Sequence, residues 1–247
     1  MMHTITYLLE TNNYVRCLMV DFSKAFDTVN HIVLIRKLCS LGLPANIFNW
    51  VISFLTGRTQ YCKVNGVYSA ARGINLSIVQ GSGIGPCLYI IMESDLNPLS
   101  SSNILIKYAD DTNLLVPEHT DSTLNQEFTH ICDWAQQNKM CINMNKTKEL
   151  VFRRPHPTKF DMPCALDGIV QEHVAKLLGV FFSDKLGFED YVNFVLTVCS
   201  QRIYLLKLLK SQGLLPKQLQ TVFTALILTR ITYATSPASK GIELMPS

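Results

Sequence analysis

Apolar positions along the chain fall into short runs and helical stripes that alternate. Tyr14–Val20 (YVRCLMV) is a short, mostly apolar run, the pattern of a strand buried on both faces, and it ends on a charge at Asp21. Val29, Ile32, Val33, Ile35 and Leu38 then recur at helical spacing, and Gly42 and Pro44 stop the helix they predict. ANIFNWVISFL predicts a second amphipathic helix. TQYCKVN and VYSAARGIN flank Asn65-Gly66, a dipeptide suited to a tight turn, and predict a hairpin. The glycine-spaced loop QGSGIGP leads into an apolar helical run, CLYIIMESDL. Ile104–Ala109 and Thr112–Val116 are apolar segments hinged on Asp110-Asp111, which predicts another hairpin. Between 121 and 138, Leu124, Phe128, Ile131, Cys132 and Ala135 share one helical face. ELVFRR predicts a strand, and Ala165-Leu166 and Ile169-Val170 flank an expected hairpin turn at Asp167-Gly168. From Glu189 the chain reads as helix, broken only at Gly213 and Pro216. Strands alternating with helices, followed by a helical tail, predict an α+β fold with a small C-terminal helical unit.

Composition narrows the class. Hydrophobic residues make up 48% of the 247 positions and charged residues 17%, against roughly 25% charged in an average soluble domain. Intrinsic disorder, which needs low hydrophobicity and high net charge, is excluded. With 12 Gly and 10 Pro the chain is no collagen-like fibre. The net charge of +3 does not by itself identify a nucleic-acid binder. Residues 1–120 hold eight basic and eight acidic residues, so the excess lies in 121–247, with Arg202, Lys207, Lys210 and Lys217 among its contributors. So small an excess predicts weak, salt-sensitive nucleic-acid binding. The eight cysteines are scattered singly, without the close pairs of a zinc site, and read as reduced, mostly buried thiols of an intracellular protein. No basic leader and no long uninterrupted apolar stretch argue for secretion or a membrane.

The candidate chemistry sits on carboxylates. Asp110 and Asp111 are adjacent at a hairpin tip between strands too apolar for a solvated ribbon, and like charges so close repel unless a cation or proton neutralises them. A plain polar turn is one reading, since Asp tolerates tight turns. A hard-metal site is the other, because Mg²⁺ prefers oxygen ligands and is held by carboxylates plus substrate phosphates. Asp21, ending another buried strand, is the candidate third ligand. Neighbouring strands would gather the three into a cluster of the kind that holds two metals about 3.5–4 Å apart for in-line nucleotidyl displacement.

Five segments in order carry a resemblance: VDFSKAFDTVNH (Val20–His31), QGSGIGP (Gln80–Pro86), YADDT (Tyr108–Thr112), INMNKT (Ile142–Thr147) and KLLGVFFSDKL (Lys176–Leu186). Together they resemble the successive palm motifs of reverse transcriptases, most closely those of non-long-terminal-repeat (LINE-type) retrotransposons. The resemblance implies a palm, an antiparallel sheet with helices packed on one face, over residues 1–186, and a partial helical thumb over 187–247. It implies an RNA-directed DNA polymerase whose partners are an RNA template, a DNA primer and a deoxynucleoside triphosphate, with no membrane. Asp21, Asp110 and Asp111 match the catalytic, metal-binding aspartates, for two Mg²⁺ ions or Mn²⁺ in their place. Phe22, Phe26, Gln80, Gly81 and Lys146 match nucleotide-binding positions, and Phe26 is the ring expected to crowd a ribose 2′-hydroxyl. Leu178 and Gly179 match the turn that grips the primer. Asp27 belongs to the first motif, but capping the helix that starts near Thr28 is its simpler role. By resemblance alone, the place of work is nuclear DNA.

Two positions depart from the family pattern: Val79 stands where Pro usually precedes the Gln-Gly pair, and Ser94 stands before Asp95-Leu96 where Asn is usual. Only 20 residues precede Asp21, so the basic fingers are expected to be largely missing, with no endonuclease segment upstream. A catalytically silent relic that still binds nucleic acid or a partner is therefore the alternative function. An unrelated palm-like nucleotide cyclase is disfavoured by Phe26, Gln80-Gly81 and the primer-grip-like turn, because a cyclase needs no primer.

Overall fold

The computed structural model describes residues 1–154 and 160–233. The chain begins with a helix that its sequence pattern did not announce, α1 (Met2–Thr11), which has no side-chain cap at Met1 and buries only Ile5 and Leu9. Strand β1 (Tyr14–Val20) follows, with Val15, Cys17, Leu18 and Val20 buried, as a strand covered on both faces requires. A single turn, α2 (Ala25–Thr28), leads to α3 (His31–Ser40). Asn30 caps α3, its Oδ1 accepting from the amides of Ile32 at 3.1 Å and Val33 at 3.2 Å. The capping role expected of Asp27 therefore falls to Asn30, because the helix starts at His31 rather than near Thr28. Helix α4 (Ala45–Leu55) precedes a ribbon of four two-residue strands, β2 (Thr59–Gln60), β3 (Lys63–Val64), β4 (Val67–Tyr68) and β5 (Arg72–Gly73). Asn65 and Gly66 turn it with φ of 49° and 81°, the both-positive turn that the dipeptide predicted.

Helix α5 (Gly85–Met92) enters the core, and β6 (Ile104–Tyr108) and β7 (Asp111–Pro117) form the expected second hairpin. Helix α6 (Leu124–Gln137) starts in a capping box between Thr123 and Gln126. Strands β8 (Lys148–Arg153) and β9 (Val170–Glu172) complete a five-stranded sheet of order β6-β7-β1-β8-β9. Its first four strands pair antiparallel, but β9 runs parallel to β8. The turn at Asp167-Gly168 exists, yet it makes no hairpin: Ala165-Leu166 is not a strand, and Leu166 and Ile169 are instead buried in the core. Leu18, Val20, Leu114 and Val116 face that core together with Leu34, Leu88, Met92 and Ile131 of the helices. Val15, Cys17, Leu115 and Phe152 are buried outside that cluster, and α1 lies against β1 and β7, so helices do not cover one face alone.

Two lysines finish α5. Lys37 Nζ donates to the Met92 carbonyl at 2.6 Å and to Asp95 at 2.5 Å, and Lys107 Nζ donates to the carbonyls of Glu93 at 2.5 Å and Leu96 at 2.6 Å. These groups satisfy carbonyls that a helix end leaves open. All eight cysteines are free, as expected, but only Cys17 and Cys199 are buried and five are exposed. Burial, with the nearby Glu149 second, pushes the Cys17 thiol up to about 12.

The chain divides into two compact units between Glu172 and His173, so the hairpin of β10 (Val174–Leu177) and β11 (Val180–Ser183) belongs to the second unit rather than ending the first at 186. In that unit Phe181 packs on Phe194 of α7 (Glu189–Ser211), and Phe182 packs on Phe188. Gly213 and Pro216 break the helix as predicted, and α8 (Pro216–Phe223) follows, continued by a π-helical turn at Thr224–Leu228. Among the described residues, helix α7 alone is long and apolar enough, by length and composition, to cross a membrane, although charged residues interrupt it.

Candidate active site

Strand register assembles the carboxylates. Val20 pairs with Thr112 at the end of β1, so Asp21, the next residue, follows beside Asp111 at the start of β7. Tyr108 pairs with Asp111, which leaves Ala109 and Asp110 as the hairpin loop, with Ala109 at φ 51°. An alanine in the left-handed region costs about 1 kcal/mol, held here by the paired strands on either side. Asp111 is thus a strand residue and Asp110 alone is at the tip. The main chain of Asp21 is held from the other side: its amide donates to Thr147 Oγ1 at 3.2 Å, and its carbonyl accepts from the Asn143 amide at 2.7 Å.

Burial, then the charges of Asp110 and Asp21, raise the Asp111 carboxyl above its ordinary range. Three acidic groups therefore share one field. Among the described residues, none of their side chains is hydrogen-bonded or ion-paired. Hard oxygen donors repelling one another without a protein cation are chemically suited to Mg²⁺. Among the described residues, however, no three acidic, histidine or cysteine side chains converge closely enough to enclose an ion unaided. The donor set fits; its closure would require substrate phosphates as further ligands.

The expected nucleotide residues divide. Phe26 is half-buried, and its ring stacks on Tyr89, centroids 4.7 Å apart and planes 16° from parallel. Phe22 is 4% exposed and packs on Trp134, so its ring belongs to the core and cannot face a nucleotide. Gln80 is exposed and donates from Nε2 to Asp27 Oδ1 at 3.0 Å, which gives Asp27 its actual partner. Gly81 has φ of 81°. A Cβ at Gly85 would come within 3.0 Å of Ser82 Oγ and 3.3 Å of the Val79 carbonyl, so of the three loop glycines 81 supplies the unusual dihedral and 85 the close approach. Lys146 is exposed, beside the Thr147 that holds Asp21. In the second unit, Leu178 and Gly179 form the β10–β11 turn with φ of 46° and 85°, and Tyr233 Oη donates to the Leu178 carbonyl at 3.0 Å.

Sequence reasoning missed the buried pair behind this site. Tyr89 Oη donates to Glu93 Oε1 at 2.8 Å. Burial drives Glu93 up to about 7 from its ordinary 4.5, opposed by the Tyr89 hydroxyl and the Lys107 charge, with Asp110 pushing further upward. Four-residue spacing along an apolar helix was the only trace of this pair in the sequence. Because the folded carboxyl holds its proton more tightly than the unfolded one, its contribution to stability is full below about 4.5 and is lost as pH rises through about 7. Glu93→Gln is expected to remove on the order of 3 kcal/mol of that decline between pH 5 and pH 8. Urea midpoints measured across that range for both proteins check it, and parallel curves would refute it.

A sheet bearing acidic groups at one end, beside a glycine loop, has the α+β architecture of a nucleic-acid polymerase. Two solved telomerase structures share that fold: apo telomerase of Candida tropicalis, TM-score 0.53 at 15% identity over 75% of this chain and 38% of that one, and the same organism's telomerase with a fragment of telomeric RNA, 0.53 at 11% over 97% and 42%. A family model described as reverse transcriptase (RNA-dependent DNA polymerase) matches residues 1–182, and the chain belongs to that family, in its LINE-type retrotransposon branch. Its relatives include the probable RNA-directed DNA polymerase from transposon BS of Drosophila melanogaster, 28% identical over 82% of this chain. The RNA-directed DNA polymerase from mobile element jockey of Drosophila funebris is 30% identical over 75% of this chain. The chain spans 24% and 21% of the length of those two relatives.

Proposed function

We propose that this chain is the polymerising core of an RNA-directed DNA polymerase, transferring a deoxynucleotide to a primer 3′-hydroxyl with release of pyrophosphate. The observation that carries this reading is the register that brings Asp21, Asp110 and Asp111 to one end of the sheet, with no ion pair to any of the three among the described residues. Asp21 and Asp110 would hold two divalent ions, with Asp111 beside them. When bound, such ions activate the attacking hydroxyl and stabilise the leaving pyrophosphate. Thr147 and Asn143 keep the Asp21 backbone in place, and the Ala109 turn presents Asp110. Gln80, tied to Asp27, would border the incoming nucleotide with Gly81, and Lys146 would face its triphosphate as a point charge. Leu178 and Gly179 would carry the primer strand.

Phe26 would exclude the ribose 2′-hydroxyl. Phe26→Val is expected to lower discrimination against ribonucleotides at least about tenfold, a steric term of roughly 1.4 kcal/mol, without abolishing deoxynucleotide addition. Single-nucleotide incorporation with paired dNTP and rNTP measures the ratio, and unchanged discrimination would remove Phe26 from this role. One observation favours the second reading, a catalytically silent domain: among the described residues no three ligand side chains already enclose a metal position.

A further inference from the structure

From Thr28 to Met92 the chain contains no Asp or Glu, yet it carries five cations: Arg36, Lys37, Arg58, Lys63 and Arg72. Lys37 is committed to Asp95 and the end of α5. Three of the others flank or lie on the β2–β5 ribbon, and every residue from Thr59 to Gly73 is exposed. A two-stranded ribbon open on both faces buries almost nothing for itself and is marginal in water alone. It is nevertheless closely specified. Its base pairs Gln60 with Arg72 and its tip pairs Lys63 with Tyr68, so the returning strand carries one extra residue, a bulge that bends the ribbon. Across the bend Ser69 and Cys62 exchange hydrogen bonds, both at 2.9 Å.

The exposed side chains are of two kinds. Tyr61 and Tyr68 are 58% and 55% exposed, with ring centroids 5.3 Å apart at 62°, and Lys63 Nζ lies 4.8 Å from the Tyr68 ring. Arg58 lies over the Phe54 ring at 4.4 Å, its Nε bonded to the Phe54 carbonyl, which leaves the rest of the guanidinium for a ligand. Aromatic rings interleaved with cations are the chemistry that holds single strands, the rings stacking on bases and the cations meeting phosphates. A protein partner would make no demand for a carboxylate-free surface. A phosphodiester backbone does, because each acidic side chain would repel it.

We propose that the ribbon Thr59–Gly73, with Arg58 at its base, binds single-stranded nucleic acid, Tyr61 and Tyr68 stacking on bases and Arg58, Lys63 and Arg72 contacting phosphates. The proposal extends the polymerase reading and rests on it only for naming that strand as the template.

The test is fluorescence anisotropy of a labelled oligouridine RNA of about 16 nucleotides, long enough for one strand-binding groove, with the whole chain and no nucleotide present. The Tyr61→Ala/Tyr68→Ala double variant is expected to weaken binding at least about tenfold, from the loss of two stacked bases. Tyr61→Phe/Tyr68→Phe should bind as the wild type, because stacking needs the ring and not the hydroxyl. Lys63→Gln should reduce the salt slope by about 0.7. Thermal melts should coincide for all of them, since the ribbon buries no core, and a fully paired duplex should bind with little dependence on the two tyrosines. If the alanine pair binds RNA as the wild type does, or if the wild type does not bind RNA at all, the ribbon is not a strand-binding site. Asp110→Asn separates the two readings: it should stop primer extension while leaving ribbon binding intact. Loss of extension with unaltered binding by the alanine pair would overturn the ribbon alone, and loss of binding by that pair with no extension by any form would overturn the polymerase alone.

Discussion

Asp110→Asn is expected to reduce primer extension by about 10³-fold or more, since in the proposed reaction several kilocalories of transition-state stabilisation would pass through carboxylate-bound metal and each 1.36 kcal/mol is tenfold. Asparagine keeps the shape of the loop but removes the charge, so the Ala109 turn and the β6–β7 register should survive. Two readouts independent of turnover accompany the loss. Mn²⁺ affinity, followed by water proton relaxation, should fall with the donor. The Asp111 carboxyl, raised by burial and then by Asp110 and Asp21, should titrate lower once Asp110 is neutral, as carbon-detected NMR would show. Retained extension by a folded Asp110→Asn protein would remove that residue from the chemistry.

The largest effect on stability is expected at Glu127, which is fully buried in α6. Its Oε2 accepts from the Leu99 amide at 3.0 Å, and its Oε1 accepts from the Ser100 amide at 3.0 Å and Asn103 Nδ2 at 2.7 Å. Glu127→Ala would strand three donors, each costing about 1–3 kcal/mol when buried without a partner. The expected loss is about 3–5 kcal/mol, a fall in melting temperature of about 10 °C. Glu127→Gln should lose less, because the amide oxygen can still accept. The bonded segment enters β6, so loosening it should also disturb the approach to Asp110. Calorimetry of the three proteins decides the order, and an alanine variant as stable as the wild type would refute the account of this loop.

Glu127 also marks where reading the sequence stops. Its helix was visible because Leu124, Phe128 and Ile131 repeat on one face, but no periodicity tells that a charged residue between them turns inward to bond backbone some 25 to 30 positions earlier. What is local was legible: the buried run of β1, the Asn65-Gly66 turn, the hairpin of β6 and β7, and the breaks at Gly213 and Pro216. What depends on distant partners was not. The sequence around β9 predicts a hairpin arm because turn chemistry at Asp167-Gly168 is local, whereas its parallel pairing with β8 is set by the sheet. Helix α1 has no side-chain cap at Met1 and buries only Ile5 and Leu9, and it is stabilised by contact with β1 and β7. That Asp21, Asp110 and Asp111 lie near one another at one end of the sheet was legible, because strand ends and hairpins are sequence features. The bonds from Asp27 to Gln80 and from Tyr89 to Glu93, and the burial of the Phe22 ring, were not, because each depends on which helix face meets which loop.

The central claim, that the three gathered carboxylates support templated nucleotidyl transfer, is tested most directly by extension of a DNA primer annealed to RNA, with the purified chain, dNTPs and a titration of Mg²⁺ or Mn²⁺. Metal-dependent addition of the template-directed deoxynucleotide by the wild type, and none by Asp21→Asn, is the predicted result. A folded, RNA-binding wild type that adds no nucleotide above the Asp21→Asn background across the titration would contradict it.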